Sequence, residues 1–218
     1  MRVCEAERQG RPNVSDFALE KYGAAYEDAK IAKEDIFYYV YGILHSPEYK
    51  TRFAADLGKM LPRIPFAKDF WPWSEAGRKL AEIHLNYEGA KPYPVKEQRD
   101  ELGLESEKLY LVEKMRFGKK EKETDKSVIH YNSHITLTGI PLAAYEYVVN
   151  GKPAIEWIMD RYQRTKDPDS QIENDPNDWG REHKEPKYML NLVKSIITVS
   201  LETMKIVNAL PPLNERKR

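Results

Sequence analysis

The chain has 218 residues, 41% of them hydrophobic and 32% charged, and its 35 basic and 35 acidic side chains cancel to a formal charge of zero. That length can bury the core of one large domain or two small ones, and the neutrality argues against a bulk polycation that grips nucleic acid indiscriminately, though not against a local basic face. Cys4 is the only cysteine, so an internal disulfide and a cysteine-rich zinc cluster are impossible and a reducing, cytoplasmic setting is the expectation.

No run of about 18 apolar residues offers a membrane span, and acids occupy the amino terminus where a signal peptide needs its apolar core. The first 30 residues are polar and mixed in charge. They read as a frayed edge or a join to further sequence, as does the tail Asn214–Arg218. Asp35 is placed to cap a helix whose apolar positions Ile36, Tyr39, Val40, Ile43 and Leu44 recur at helical spacing. Ser46 and Pro47 supply a cap and first turn for a second helix carrying Tyr49, Phe53 and Leu57, ended by Pro62 and Pro65. Phe66–Trp73 is aromatic and interrupted by proline, which predicts a packed loop. From Ser74 a third helix sets Leu80, Ile83 and Tyr87 on one side, with Arg78 and Lys79 off that stripe.

Past Gly89 the character changes, and Pro92 and Pro94 mark a boundary. Leu109–Phe117 and Val128–Thr138 are expected as strands, separated by the charged segment Lys119–Lys126 as a hairpin or longer surface loop. Helices are expected at Leu142–Val149 and Pro153–Tyr162, joined at Asn150-Gly151. A long polar loop follows, and Tyr188–Val207 is the longest helix. The sum is an α+β fold: a helical N-terminal region, residues 1–90, packed on a mixed α/β region, residues 91–218, with a β-sheet and flanking helices.

Catalytic signatures are missing from the sequence. His130 and His134 lie about 13 Å apart if the segment is a strand, too far to chelate one metal. There is no phosphate loop, no dinucleotide-binding glycine pattern and no nucleophile elbow. Asp175-Pro176-Asn177 lacks the second proline and the aromatic residue of an amino-methyltransferase motif. Asp178, Glu185 and Lys187 can be laid on a loose metal-dependent nuclease pattern, but a solvated loop explains them equally simply.

Nucleic-acid binding has more support. Seven basic residues against three acids lie between Lys50 and Lys79, among them Arg63, Arg78 and Lys79. Lys114, Arg116, Lys119 and Lys120 cluster around Phe117 at an expected strand end, where cations can pair with phosphates and arginine can read guanine. Asn132 can read adenine or serve a turn. Arg161, Arg164 and Lys166 suit the end of a helix electrostatically and could also meet a phosphate. Trp179 is expected to anchor its loop on the core.

The stretches Phe37 to Tyr49 (FYYVYGILHSPEY), Leu61 to Phe66 (LPRIPF), Ser74 to Ala81 (SEAGRKLA) and His84 to Glu88 (HLNYE) form an ordered series. Gly139 to Leu142 (GIPL), Tyr145 to Gly151 (YEYVVNG) and Asn174 to Trp179 (NDPNDW) continue it. The series resembles the carboxyl-terminal specificity domain of Type ISP restriction–modification enzymes. That resemblance implies a non-catalytic part of a long polypeptide that also carries a nuclease, a translocase and an adenine methyltransferase. It implies duplex DNA and those methyltransferase and translocase modules as partners, and ATP, magnesium and S-adenosylmethionine as cofactors of the whole enzyme but not of this segment. It also implies packing and turn roles for Tyr38, Gly42, His45, Ser46, Pro47 and Tyr49. Base-reading positions do not carry over, because specificity domains differ where they read different sequences; Lys119–Lys126 and Thr165–Gln171 are candidates by exposure. A docking module without sequence preference and a nuclease remain the alternatives.

Overall fold

The computed structural model describes residues 13–60, 62–100 and 106–216. Cys4, Leu61 and the last two residues of the basic tail lie outside them. The chain forms two units, Met1–Glu82 together with Ile206–Arg218, and Ile83–Lys205.

The first unit is helical. The helix α1 (Asp16–Tyr26) starts where the Ser15 hydroxyl accepts the Ala18 N–H, and it buries Tyr22. The polar opening of the sequence is therefore not frayed from Ser15 onward. Tyr22 is buried, and Val14, Leu19 and Tyr26 pack beside it against the same core. In α2 (Lys33–His45) Asp35 does cap the helix, but from the third helical position, its carboxylate accepting the Ala32 N–H. Ser46 caps α3 (Pro47–Arg52) through Tyr49 N–H. The Tyr49–Leu57 stripe is split at Phe53, beyond which runs α4 (Ala54–Gly58). The helix α5 (Trp71–Leu85) begins earlier than Ser74.

The tyrosines Tyr39 and Tyr49, both buried, and the half-buried Tyr26 hold the aromatic loop between α4 and α5. Tyr39 OH donates to Pro65 O and accepts from Ala67 N–H, Tyr26 OH donates to Ala67 O, and Tyr49 OH donates to Arg63 O. Such bonds satisfy a loop backbone that has no ladder partner. The carboxyl-terminal stretch is held as far as Arg216, so over the described residues it is not a frayed edge. Lys68 N–H donates to Asn214 O, Arg216 N–H donates to Phe66 O, and Leu213 is buried.

The second unit is built on an antiparallel sheet in the order β1-β4-β3-β2, comprising β1 (Lys96–Arg99), β2 (Arg116–Lys120), β3 (Glu123–His130) and β4 (Ile135–Thr138). Ile129, Ile135 and Leu137 are fully buried and share a core with Ile155 of α7 (Ala154–Arg161) and with Leu190, Val193 and Ile197 of α9 (Tyr188–Asn208). Each such side chain removed from water contributes roughly 1.5–3 kcal/mol. The fold class is thus a helical amino-terminal region and a mixed α/β region with flanking helices, as expected.

Several elements differ from the sequence reading. The stretch Val128–Thr138 is two strands separated by a turn. Leu109–Phe117 is no continuous strand: α6 (Ser106–Leu109) precedes an unpaired extended segment, and β2 begins only at Arg116. Side chains take the place of a ladder partner there. Asn177 accepts from Val112 N–H and donates to Val112 O, Asn132 donates to Leu109 O and Leu111 O, and Tyr131 OH donates to Tyr110 O.

Leu142–Val149 is a 3₁₀ turn (Leu142–Tyr145) followed by β5 (Val148–Val149), which pairs with β6 (Lys152–Pro153). Asn150 and Gly151 both have positive φ, 48° and 80°, the conformation an Asn-Gly hairpin turn requires. The polar stretch after α7 is also structured. It holds a hairpin of β7 (Thr165–Lys166) and β8 (Glu173–Asn174), then α8 (Asn177–Glu182).

Candidate nucleic-acid interface

The hairpin of β2 and β3 turns tightly at Glu121 and Lys122, with Glu121 at φ 57°. A bulge falls between Phe117 and Gly118, which sharpens the local twist. Gly118 is buried against Val128, whose Cβ would stand 2.7 Å from a Cβ added there. Phe117 turns inward toward Tyr145, which leaves the flanking cations in solvent. Lys114, Arg116, Lys119 and Lys120 are all exposed, and no side chain among them forms an ion pair or hydrogen bond with the described residues.

Acids stand nearby: Glu113, Glu121 and Glu123 are exposed, with Glu123 opposite Lys120 in register, while Asp125 is engaged internally. Ser127 donates to the Asp125 carboxylate from both its N–H and its hydroxyl, holding that carboxyl below its ordinary value with help from the charge of Lys120. Lys126, by contrast, is drawn into the fold by Glu156 at 2.7 Å and lies over the rings of Phe117 and Tyr145.

The sheet register sets a row of polar side chains on the face opposite the core. Gln98 of β1 stands opposite Thr136 of β4, Thr136 opposite His130 of β3, and His130 opposite Arg116 of β2. Gln98, His130 and Arg116 are exposed and Thr136 is half-buried. His130 Nδ1 and Thr136 Oγ1 are hydrogen-bonded at 3.0 Å. Glu97 points the other way and takes Lys194 at 2.7 Å and Arg99. Burial opposes its ionisation, but those two cations outweigh it and keep the carboxyl below its usual range.

The other sequence candidates are distributed differently. Arg164 pairs with Glu173 and Asp175, while its N–H donates to Glu113 O, beside Lys114. Arg161 is exposed over the ring of Trp157, and Lys166 is exposed on β7. Arg63, Arg78 and Lys79 belong to the first unit. There Arg78 pairs with Glu34 and Asp35 and lies over the Tyr38 ring, Arg63 faces Asp56 at 3.9 Å, and Lys79 is exposed.

Asn132 serves the turn between β3 and β4. Its amide hydrogens go to Leu109 O and Leu111 O, and its oxygen accepts from His134 and Ile135 N–H. Every hydrogen-bonding site of the amide is thereby engaged inside the protein, so no adenine can be read by it. Trp179 lies in α8, stacked on His183 and tilted against Tyr188, with ring centroids 4.1 and 3.9 Å away. Asp178 pairs with Arg181, and Lys187 sits over the Tyr110 ring. No group of three or more potential metal ligands is gathered among the described residues, and none of their helices is long and apolar enough to cross a membrane.

The sequence reading assigned no element to Gln98 and weighed His130 only with His134, as a metal pair. Strand β1 reads Lys-Glu-Gln-Arg, with no apolar residue to betray it. The alternation Ile135, Thr136, Leu137, Thr138 was the available clue to an outward polar face.

Comparison with known proteins gives a consistent result. Residues 3–192 match the family described as the Type ISP C-terminal specificity domain. Among solved structures, a nuclease-deletion mutant of the Type ISP restriction–modification enzyme LlaGI, in complex with a DNA substrate mimic, is 44% identical over 86% of this chain, with a TM-score of 0.75. The ATP-dependent Type ISP restriction–modification enzyme LlaBIII bound to DNA is 39% identical over 89% of the chain, with a TM-score of 0.77. DrdV in a DNA complex is 32% identical over 92%, with a TM-score of 0.77. The chain spans 17%, 12% and 20% of those three chains. No curated protein matches it.

Proposed function

Because this chain belongs to the Type ISP C-terminal specificity domain family, we propose that it recognises one asymmetric duplex DNA site on behalf of a larger restriction–modification enzyme. The observation that carries this reading is the β2–β3 hairpin, where four exposed cations lack an internal partner among the described residues. The lysines among them, Lys114, Lys119 and Lys120, suit phosphate oxygens, which position a protein on the duplex without reading its sequence. The DNA complexes of the similar enzymes support the same conclusion.

In the whole enzyme, recognition positions an adenine methyltransferase on its target, and an unmodified site licenses translocation and restriction. ATP, magnesium and S-adenosylmethionine serve those other modules, and the setting is cytoplasmic. This chain contributes the address and performs no chemistry itself. Residues 1–90 act as the spacer or coupling region and residues 91–218 as the target-recognition region.

Selection of bound duplexes from a random pool, using the purified chain at near-physiological salt, tests this directly. Enrichment of one asymmetric site is expected. A folded preparation that enriches nothing would overturn autonomous recognition and favour a docking role. One observation favours that second role: Tyr147, Val149, Trp157, Ile158 and Val199 line a concave apolar surface of about 410 Å³ in the second unit.

A further inference from the structure

We propose that the cross-strand row Gln98–Thr136–His130–Arg116 is the base-reading element, facing the major groove, with Arg116 reading a guanine and Gln98 an adenine. The inference rests on the DNA-recognition reading and deepens it.

The row runs across all four strands because each member stands opposite the next in register. Neighbouring strands lie about 4.8 Å apart, so three steps span roughly 14 Å. At about 3.4 Å per base pair along a duplex, that reach covers about four base pairs. Its ends carry the two side chains suited to bidentate major-groove recognition. A guanidinium fits guanine O6 and N7, and a carboxamide fits adenine N6 and N7. Neither Gln98 nor Arg116 has an internal side-chain partner among the described residues, so both keep their full hydrogen-bonding capacity.

The centre of the row is held in place. With Nδ1 of His130 bonded to Thr136 Oγ1, the ring is oriented and Nε2 remains as its available polar atom. Thr136 is therefore a positioning residue, and His130 adds one directional contact between the two ends. Charge favours the same face. Glu97 on β1 points to the opposite side and is neutralised by Lys194 and Arg99, whereas Lys96 beside Gln98 is exposed. The row is thus bracketed by Lys96 at one edge and by Lys119 and Lys120 beyond the other, where phosphates flanking a groove can lie.

The test repeats the duplex selection with Arg116→Ala, Gln98→Ala, His130→Ala and Lys119→Ala, after thermal unfolding shows that each variant is folded. Arg116→Ala should relax the preference at one G·C pair and Gln98→Ala at one A·T pair about four positions away. Each loss should be roughly 5- to 150-fold on the selected site, the range for one bidentate contact. Binding to unrelated duplexes should change little, whereas Lys119→Ala should weaken all duplexes alike. If the unaltered chain selects a site but the three row variants keep the same preferences, or weaken every duplex equally, the row is not the reader. If the unaltered chain selects nothing, the recognition reading falls and the row with it.

Discussion

Two asparagines decide how the segment before β2 is held. Asn177 bridges both backbone groups of the buried Val112, and Asn132 takes two carbonyls on the preceding turn. Removing a buried polar partner leaves its mates unsatisfied at a cost of about 1–3 kcal/mol each. Asn177→Ala should therefore destabilise the protein by about that amount or more in chemical denaturation, while its DNA preference is unchanged. His45 gives a second prediction. Burial pushes its imidazole below the ordinary 6.5; the bond to Tyr41 O partly opposes this, and the charge of Lys50 adds to it. The folded state thus holds a neutral ring, whereas the unfolded chain binds the proton more readily. The contribution is complete above pH 6.5 and is lost as pH falls through 6.5 toward the lowered folded value. Melting temperature should fall over that window, and His45→Gln should flatten the fall. The sequence left Asn132 open between a turn and a base contact and gave no sign of the Asn177 clamp, because an amide that reads adenine and one that clamps a backbone look alike until the partners are known.

Helix α2 and helix α5 approach closely at glycine. A Cβ at Gly77 would fall within the van der Waals shell of Tyr38 O, and one at Gly42 within that of Trp73 O. Both opposing atoms are rigid helix backbone, so relief would require the helices to separate. Gly77→Ala should cost about 1–3 kcal/mol, as overpacked cores do, and should appear as a lower melting temperature. Periodicity found these helices because apolar residues recur on one face; it could not show that their contact runs through glycines. The β2–β3 hairpin makes the complementary prediction. Lys119→Ala with Lys120→Ala should lower affinity for every duplex and reduce the slope of log K against log salt by about two. Its position was expected from the charged segment Lys119–Lys126, but its strands extend into that segment and its bulge places Gly118 against Val128.

At the scale of the molecule, a formal charge of zero means that affinity must come from local cations. With about three phosphate contacts, from Lys114, Lys119 and Lys120, binding should weaken roughly fortyfold between 50 and 200 mM salt, measured by fluorescence anisotropy. A much flatter dependence would remove the hairpin as the main phosphate contact. The first unit is discontinuous in sequence, with Ile206–Arg218 returning to it. A linear reading closes a domain where composition shifts and has no means of sending a terminal stretch back to it. The sequence by itself determined the helices at α2, α3, α5, α7 and α9, the mixed α/β class and the family, because caps, apolar periodicity and ordered motifs are properties of neighbouring residues. Only the tertiary structure decided that Asn132 turns inward, that Arg78 and Arg164 are paired within the fold, and that Gln98, Thr136, His130 and Arg116 stand in one row. Their alignment depends on strand register, which brings together residues far apart in the chain, and no local spacing encodes it.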